Sequence, residues 1–303
     1  MPDIRPRPAA VVLNFRTPDQ TVHCLNSLAE QGVQHIVVVD NSEDRGASLH
    51  AMRTDLERLR SELIELDVLS NGRNLGFSAG VNRALAHIAR TRPANVLLLN
   101  SDACLMPGCM DALLTSLHDG ADLTAPFLID SADIIHHPVS YYQKHTGLLS
   151  SRPIPGSVAF VTGACILLSQ TMVSANLLDE DFFFYGEDVM LGAMLKNSGM
   201  THAVTGNGLA MHSGGGSARN GSPFYEYHIN RGHCLLAIKL ARTPMQRAIN
   251  LMGRLAFLPA RAILRSLRNS NTVPIISLWQ AVRDVAAGRL QTMTPPAPAS
   301  RQP

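Results

Sequence analysis

Val96–Leu99 is a run of four apolar residues that ends directly in Asn100-Ser101-Asp102. Such a run, bounded by polar residues, suits a strand buried on both faces of a sheet, and open parallel sheets bind ligands beyond the carboxyl ends of their strands. Asp102 therefore either stands at a working edge or opens a turn ahead of Pro107, since Asp and Ser favour turns. The same pattern recurs upstream. Ala9–Phe15 carries Asn14 at its end and leads to a helix start at Thr17-Pro18-Asp19, and His35–Asp40 reads HIVVVD and again closes on an acid. Ile64–Leu69 reads as a third such strand. Strands that end in polar groups and are separated by helix-length segments specify βαβ units with one working edge.

At 303 residues the chain can bury a large core, as one broad α/β domain or two smaller ones. Its 26 Lys+Arg against 24 Asp+Glu create no global field, so nothing points to a nucleic-acid partner, and an anionic ligand must be held locally. The five cysteines are scattered without a CxxC pair and read as reduced core thiols. No apolar stretch is long enough to span a bilayer, and the proline-containing start does not resemble a signal peptide. The expectation is a cytoplasmic protein, with contact to the inner face of the cell membrane left open.

Ser70–Gly80, SNGRNLGFSAG, precedes a helix with Val81, Leu85 and Ile88 at helical spacing. Its glycines either let the backbone approach a ligand or simply cap an amphipathic helix. Neither GxGxxG nor GxxxxGK[ST] occurs, so a dinucleotide fold or P-loop is not supported. A helix around Met110–Leu117 and an apolar segment Leu123–Leu128 complete this half. Residues 129–155 read as a surface excursion beside a cleft, with His136, His137, Tyr141, Tyr142 and His145 lacking metal-ligand spacing. Val158–Leu168 reads as one buried strand with a Gly-Ala interruption.

The densest acidic group follows at 179–188, DEDFFFYGED. Aromatic residues need burial while acids need water or a partner, and that conflict marks a functional site. Glu187 and Asp188 head a helix over Val189–Asn197 with Gly199 as its C-cap, where the dipole favours their charged forms. For Glu187 taken alone, ordinary helix capping is the simpler account. A strand-like segment, His202–Leu209, then leads to His212 and the glycine run after it.

Taken together and in order, VVLNFRTPDQ, VVVDNSE, NGRNLGFSAGVNRAL, VLLLNSDA, TGACILL, DEDFFFYGEDVML and the His212 loop resemble the GT-A-fold family 2 glycosyltransferases, most of all the rhamnosyltransferase-like members that build bacterial cell-surface polysaccharides. The resemblance covers roughly residues 9 to 240. It implies a single Rossmann-like, mostly parallel mixed sheet flanked by helices, with a C-terminal helical extension. It implies a nucleotide-diphosphate sugar as donor, a glycan or lipid-linked acceptor, and a divalent cation, Mn²⁺ or Mg²⁺. The cation would be held by Asp102 at the DxD position and by His212, and would neutralise the departing diphosphate. Asn14, Asp40, Asn41, Arg73, Asn74, Ser101 and Asp102 fall in segments that bind the nucleotide sugar. Members similar to this chain invert configuration with one general base. That role falls on Asp188, with Glu187 and Tyr185 toward the acceptor, although Glu187 and Asp188 could exchange roles. Asn100 replaces the first acid of DxD and Met190 an expected later Asp, which leaves a degenerate sugar-nucleotide or glycan-binding protein as an alternative, beside a nucleotidyltransferase.

Tyr225–Ala241 reads as a helix, with Arg231 toward the diphosphate. Residues 243–290 combine an apolar helical surface with Arg247, Arg254, Arg261, Arg265 and Arg268, which suits either an anionic membrane surface or packing on the protein or on a second subunit. The expected division is a catalytic domain over 1–242, split near 128, an amphipathic extension over 243–290, and a disordered tail over 291–303. A homo-oligomer is compatible with this division.

Overall fold

The computed structural model describes residues 7–62, 64–212 and 220–289; the glycine run after His212 and the tail 291–303 lie outside them. The first part alternates strand and helix: β1 (Ala9–Asn14), α1 (Pro18–Glu30), β2 (His35–Asp40), α2 (Ala47–Ser61), β3 (Glu65–Ser70), α3 (Phe77–Thr91) and β4 (Val96–Asn100). These four strands pair in parallel in the order β3-β2-β1-β4. Side-chain alternation explains their continuous apolar runs. Ala10, Val12, Ile36, Val38, Leu97 and Leu99 enter one core layer, and Ala9, Val11, Val37, Val39, Val96 and Leu98 enter the other. Both faces are covered by helices, so no polar alternation is needed.

The chain continues through β5 (Ala103–Leu105), α4 (Cys109–His118), β6 (Leu123–Ile129), β7 (Ile135–His136), β8 (Val139–Gln143), β9 (Leu149–Ser150), β10 (Ser157–Val161), β11 (Cys165–Leu168), α5 (Glu187–Ser198), β12 (His202–His212), α6 (Pro223–Lys239), α7 (Pro244–Asn269) and α8 (Val273–Ala286). The main sheet extends past β4 as β11-β6-β12-β5. Here β11 is antiparallel to both β4 and β6, β12 is parallel to β6, and β5 is antiparallel to β12.

The architecture is α/β and broadly GT-A-like, but two expectations need correction. The sheet is parallel only through β4 and genuinely mixed beyond it, and it is not single, because β10, β8 and β9 form a separate antiparallel sheet. Val158–Leu168 is accordingly not one strand. It changes sheets at Thr162-Gly163-Ala164, where the Gly-Ala interruption was visible but its meaning was not. The 129–155 segment supplies β8 and β9 of the second sheet, and its Tyr142 is 2% exposed rather than on the surface.

Candidate active site

The carboxyl ends of β1, β2 and β4 open onto a cleft of about 220 Å³. Its lining draws on distant segments: Leu13, Phe15 and Asn41; Asn74, Gly76 and Phe77; Asn100, Ser101 and Asp102; Thr162, Gly163 and Ala164; Phe183, Phe184, Tyr185, Glu187 and Asp188; His212; and Phe224.

Backbone pairing explains how Asp102 and His212 meet. The short β5 begins immediately after Asp102 and pairs antiparallel with the end of β12, setting His212 opposite Ala103. His212 Nε2 thereby stands 3.4 Å from Asp102 Oδ1, both side chains being partly exposed to the cleft. Adjacent ligand atoms at ~2.1 Å from one small cation lie about 3 Å apart, so this oxygen-nitrogen pair fits a divalent ion whose remaining positions a diphosphate could fill. A second candidate cation site exists elsewhere. His35, Glu65 and Asp67 each offer a ligand atom within 4.8 Å of the others. It belongs to the amino-terminal ends of β2 and β3, whereas Asp40 closes β2 at the cleft edge, roughly 16 Å along the strand. There Asp67 already receives His87 Nε2 at 2.8 Å and His35 Nε2 at 3.3 Å.

The Glu-Asp pair sits at the start of α5, behind Gly186, which holds φ +108°. The Val189 N–H donates to Asp188 Oδ1 at 2.8 Å, while Glu187 Oε2 is buried without a partner among the described residues. The helix N-terminus favours their charged forms, and burial acts against it. Burial pushes both carboxyls above the usual range, and the Asp188 charge pushes Glu187 up further. Tyr185 precedes them at φ 65°, a left-handed backbone that costs a non-glycine residue about 1 kcal/mol or more. Burial and the neighbouring Tyr225 raise its phenol above the ordinary value. Tyr185 and Asp188 also line a smaller cavity of about 100 Å³ with Tyr142, Phe160, Gly232 and His233. Asp188 thus borders two spaces.

The aromatic run is held from α3. Phe77 N donates to Phe183 O at 2.8 Å, Ser78 Oγ to Phe182 O at 2.8 Å, and Asn82 Nδ2 to Leu178 O at 2.8 Å. A Cβ on Gly76, at φ +82°, would lie 2.6 Å from Phe183 O, and one on Gly80 would lie 2.5 Å from Leu13 Cδ1. These glycines admit the protein's own loop and strand rather than a ligand.

The remaining expected residues divide. Asn41, Asn74 and Ser101 line the cleft, and Asn41 Nδ2 donates to Gly76 O at 3.0 Å. Asn14 and Asp40 stand just behind it, buried in a network in which Asn14 Nδ2 and Ser42 Oγ donate to Asp40 Oδ1 at 2.8 and 2.5 Å. Arg73 is exposed and does not line the cleft. Arg231 is 1% exposed and donates to Asp181 O at 2.6 Å, so it supports the acidic loop from behind instead of facing a diphosphate. Sequence reading missed Phe224, which lines the cleft, and His228, whose ring stacks on Phe183 at 4.9 Å. Burial lowers His228 to about 3, so it is a neutral part of the aromatic wall. Nothing in the weak amphipathicity of α6 singled out either residue.

The cleft lies at the carboxyl ends of parallel strands, where open α/β sheets bind their ligands. Residues 6–219 match the profile of glycosyltransferase-like family 2, and the chain belongs to that family. No curated protein sequence matches significantly. Among solved structures, the chain is similar to GalNAc-T7 with UDP, GalNAc and Mn²⁺, at a TM-score of 0.52 and 10% identity, over 94% of this chain and 58% of that one. It also matches the inositol-1-phosphate CTP transferase from T. maritima, at a TM-score of 0.43 and 17% identity, over 69% and 90% of the two chains. A third match is a Bacillus anthracis protein described as a glucose-1-phosphate thymidylyltransferase, at a TM-score of 0.45 and 10% identity, over 79% and 98%.

Proposed function

We propose that this chain transfers a sugar from a nucleotide-diphosphate donor to an acceptor hydroxyl with inversion, the acceptor being a glycan or a lipid-linked sugar of the cell envelope. The observation that carries the reading is the meeting of Asp102, His212 and Asp188, from three distant segments, in one cleft. Membership of the glycosyltransferase-like family supports it.

In this reading the nucleotide sugar lies along the strand ends, with Asn41, Asn74 and Ser101 supplying polar contacts. Asp102 and His212 would hold a Mn²⁺ or Mg²⁺ ion, which would supply positive charge to neutralise the leaving diphosphate. Phe183, Phe184 and Phe224 exclude water from the sugar. Asp188 takes the acceptor's proton as its oxygen attacks the anomeric carbon from the face opposite the diphosphate. Its position between the cleft and the smaller cavity gives the acceptor a separate approach, walled by Tyr185. Its raised proton affinity suits a base that must bind a proton in the transition state. Glu187, beside it, acts on the acceptor. Among donor sugars, the sequence resemblance favours rhamnose carried on dTDP.

Incubation with a panel of nucleotide sugars including dTDP-rhamnose, with Mn²⁺ or Mg²⁺ and lipid-linked or free glycan acceptors, tests this. Acceptor-dependent release of nucleoside diphosphate is expected with one donor. Tight donor binding with no release under any pairing would point instead to a binding protein.

A further inference from the structure

The C-terminal helices are packed inside out. Surface helices ordinarily bury their apolar stripe and expose their charges. On α7 the buried positions are Asn250, Arg254, Leu258 and Ala262, while Met245, Met252, Leu255 and Leu267 are 60–73% exposed. Arg254 donates to the Tyr142 hydroxyl at 2.9 Å and to Lys144 O at 3.0 Å. Arg265 Nε donates to Glu226 Oε1 at 2.7 Å, and Arg261 Nη1 lies 3.5 Å from Glu226 Oε2; Glu226 itself is 0% exposed. On α8, Pro274, Ser277, Ala281 and Asp284 are buried, while Ile275, Ile276, Trp279 and Val282 face outward. Of the two readings left open for the repeated arginines, packing on the protein holds for Arg254, Arg261 and Arg265, which are engaged by Tyr142, Lys144 and Glu226.

What remains outside is apolar and basic. Arg247, Arg268 and Arg283 are exposed, and the Arg283 guanidinium lies 5.1 Å from the Trp279 ring centre. Asp284 is the one acid between residues 240 and 289. It is buried and bound by Tyr227, Arg283 and Arg289. At 100° per residue Arg247 and Arg268 lie toward the arginine side of α7, at the margin of the apolar face rather than on it, so a second copy covering the apolar residues would leave this basic margin with no exposed acid on the two helices to pair it. Anionic lipid headgroups would pair the arginines while the acyl boundary covers the apolar residues. No helix among the described residues is long and apolar enough to cross a membrane, so the contact is one of lying on the surface.

We propose that α7 and α8 form a docking face for an anionic phospholipid bilayer, with the Met252, Leu255, Leu267 and Trp279 side chains entering the headgroup–acyl boundary. The face stands on these contacts alone and is independent of the transfer reading. It differs from an ordinary amphipathic extension because the same arginines that would mark a membrane helix in sequence lock it to the body of the protein.

The chain has one tryptophan, Trp279, and it lies on this face, so its fluorescence reports directly. The full-length protein is mixed with vesicles of phosphatidylcholine alone or with about a third phosphatidylglycerol. A blue shift and quenching by brominated acyl chains are expected with the anionic vesicles and not with the neutral ones. The double variant Leu255→Glu/Leu267→Glu alters only exposed residues and should keep its circular dichroism while losing co-sedimentation at least tenfold. Arg247→Glu and Arg268→Glu should each weaken binding about fivefold or more. Absence of any shift, binding equally strong to neutral vesicles, or a lipid-free dimer in which Trp279 is already shielded would each overturn the proposal.

Discussion

Glu187 and Asp188 share a small space in which each carboxylate costs more than it would in water. Between the ordinary carboxylate range and their raised values the folded chain holds more protons than the unfolded one, so this pair makes stability fall as pH rises through that window. Glu187→Gln should therefore raise the melting temperature at pH 8 by on the order of a few degrees and change it little near pH 4. Thermal unfolding of the two proteins at both pH values checks this; a lower melting temperature at pH 8 would mean Glu187 is held by a partner that favours its charge. That Asp102 and Asp188 line one cleft was foreshadowed because each ends or heads an apolar element, although a turn or a helix cap would account for either alone, and His212 was marked by the family resemblance rather than by its own surroundings. Phe224 and His228 carried no such mark, since an aromatic residue on a helix is indistinguishable in sequence from core. Arg231, which meets the Asp181 carbonyl, and Arg73, which is exposed beside the cleft-lining Asn74, show the converse. A lone arginine carries no sign of whether it faces a phosphate, a backbone carbonyl or solvent.

Among the elements, α3 matters more than its length suggests, because it fastens the aromatic loop. Gly76→Ala must push Phe183 away and should cost about 2 kcal/mol or more together with most of the activity. At Gly72, also at positive φ but with open space around a Cβ, alanine should cost only about 1 kcal/mol and leave activity nearly intact. Urea unfolding of the pair separates a contact from a backbone preference. The C-terminal helices depend on a different kind of contact. Removing the Glu226 charge leaves Arg261 and Arg265 facing a buried neutral group, and Glu226→Gln should destabilise their docking by about 3 kcal/mol. Limited proteolysis within 243–289 would detect it. Helical periodicity in sequence revealed that α7 is amphipathic but could not reveal which side faces the body. Ordinary experience assigns the apolar side to the core, and here the Glu226 and Tyr142 partners that reverse the orientation lie far away in the chain.

Across the whole molecule, the parallel half was readable because strands buried on both faces need unbroken apolar runs, and their polar ends then mark one edge. The mixed half was not. β11 and β10 read as one strand because nothing local says that a chain leaves one sheet for another at Thr162-Gly163-Ala164, and β5 is too short to show a period. Yet β5 is what brings His212 to Asp102, and the sheet change is what lines the cleft floor. The central claim is that these parts form one site in which Asp188 removes a proton from an acceptor. The most direct measurement is the rate of acceptor-dependent nucleoside diphosphate release by Asp188→Asn beside its affinity for the same nucleotide. Transfer should fall at least about a hundredfold with nucleotide affinity nearly unchanged. Transfer that survives this substitution at close to the native rate would contradict the account.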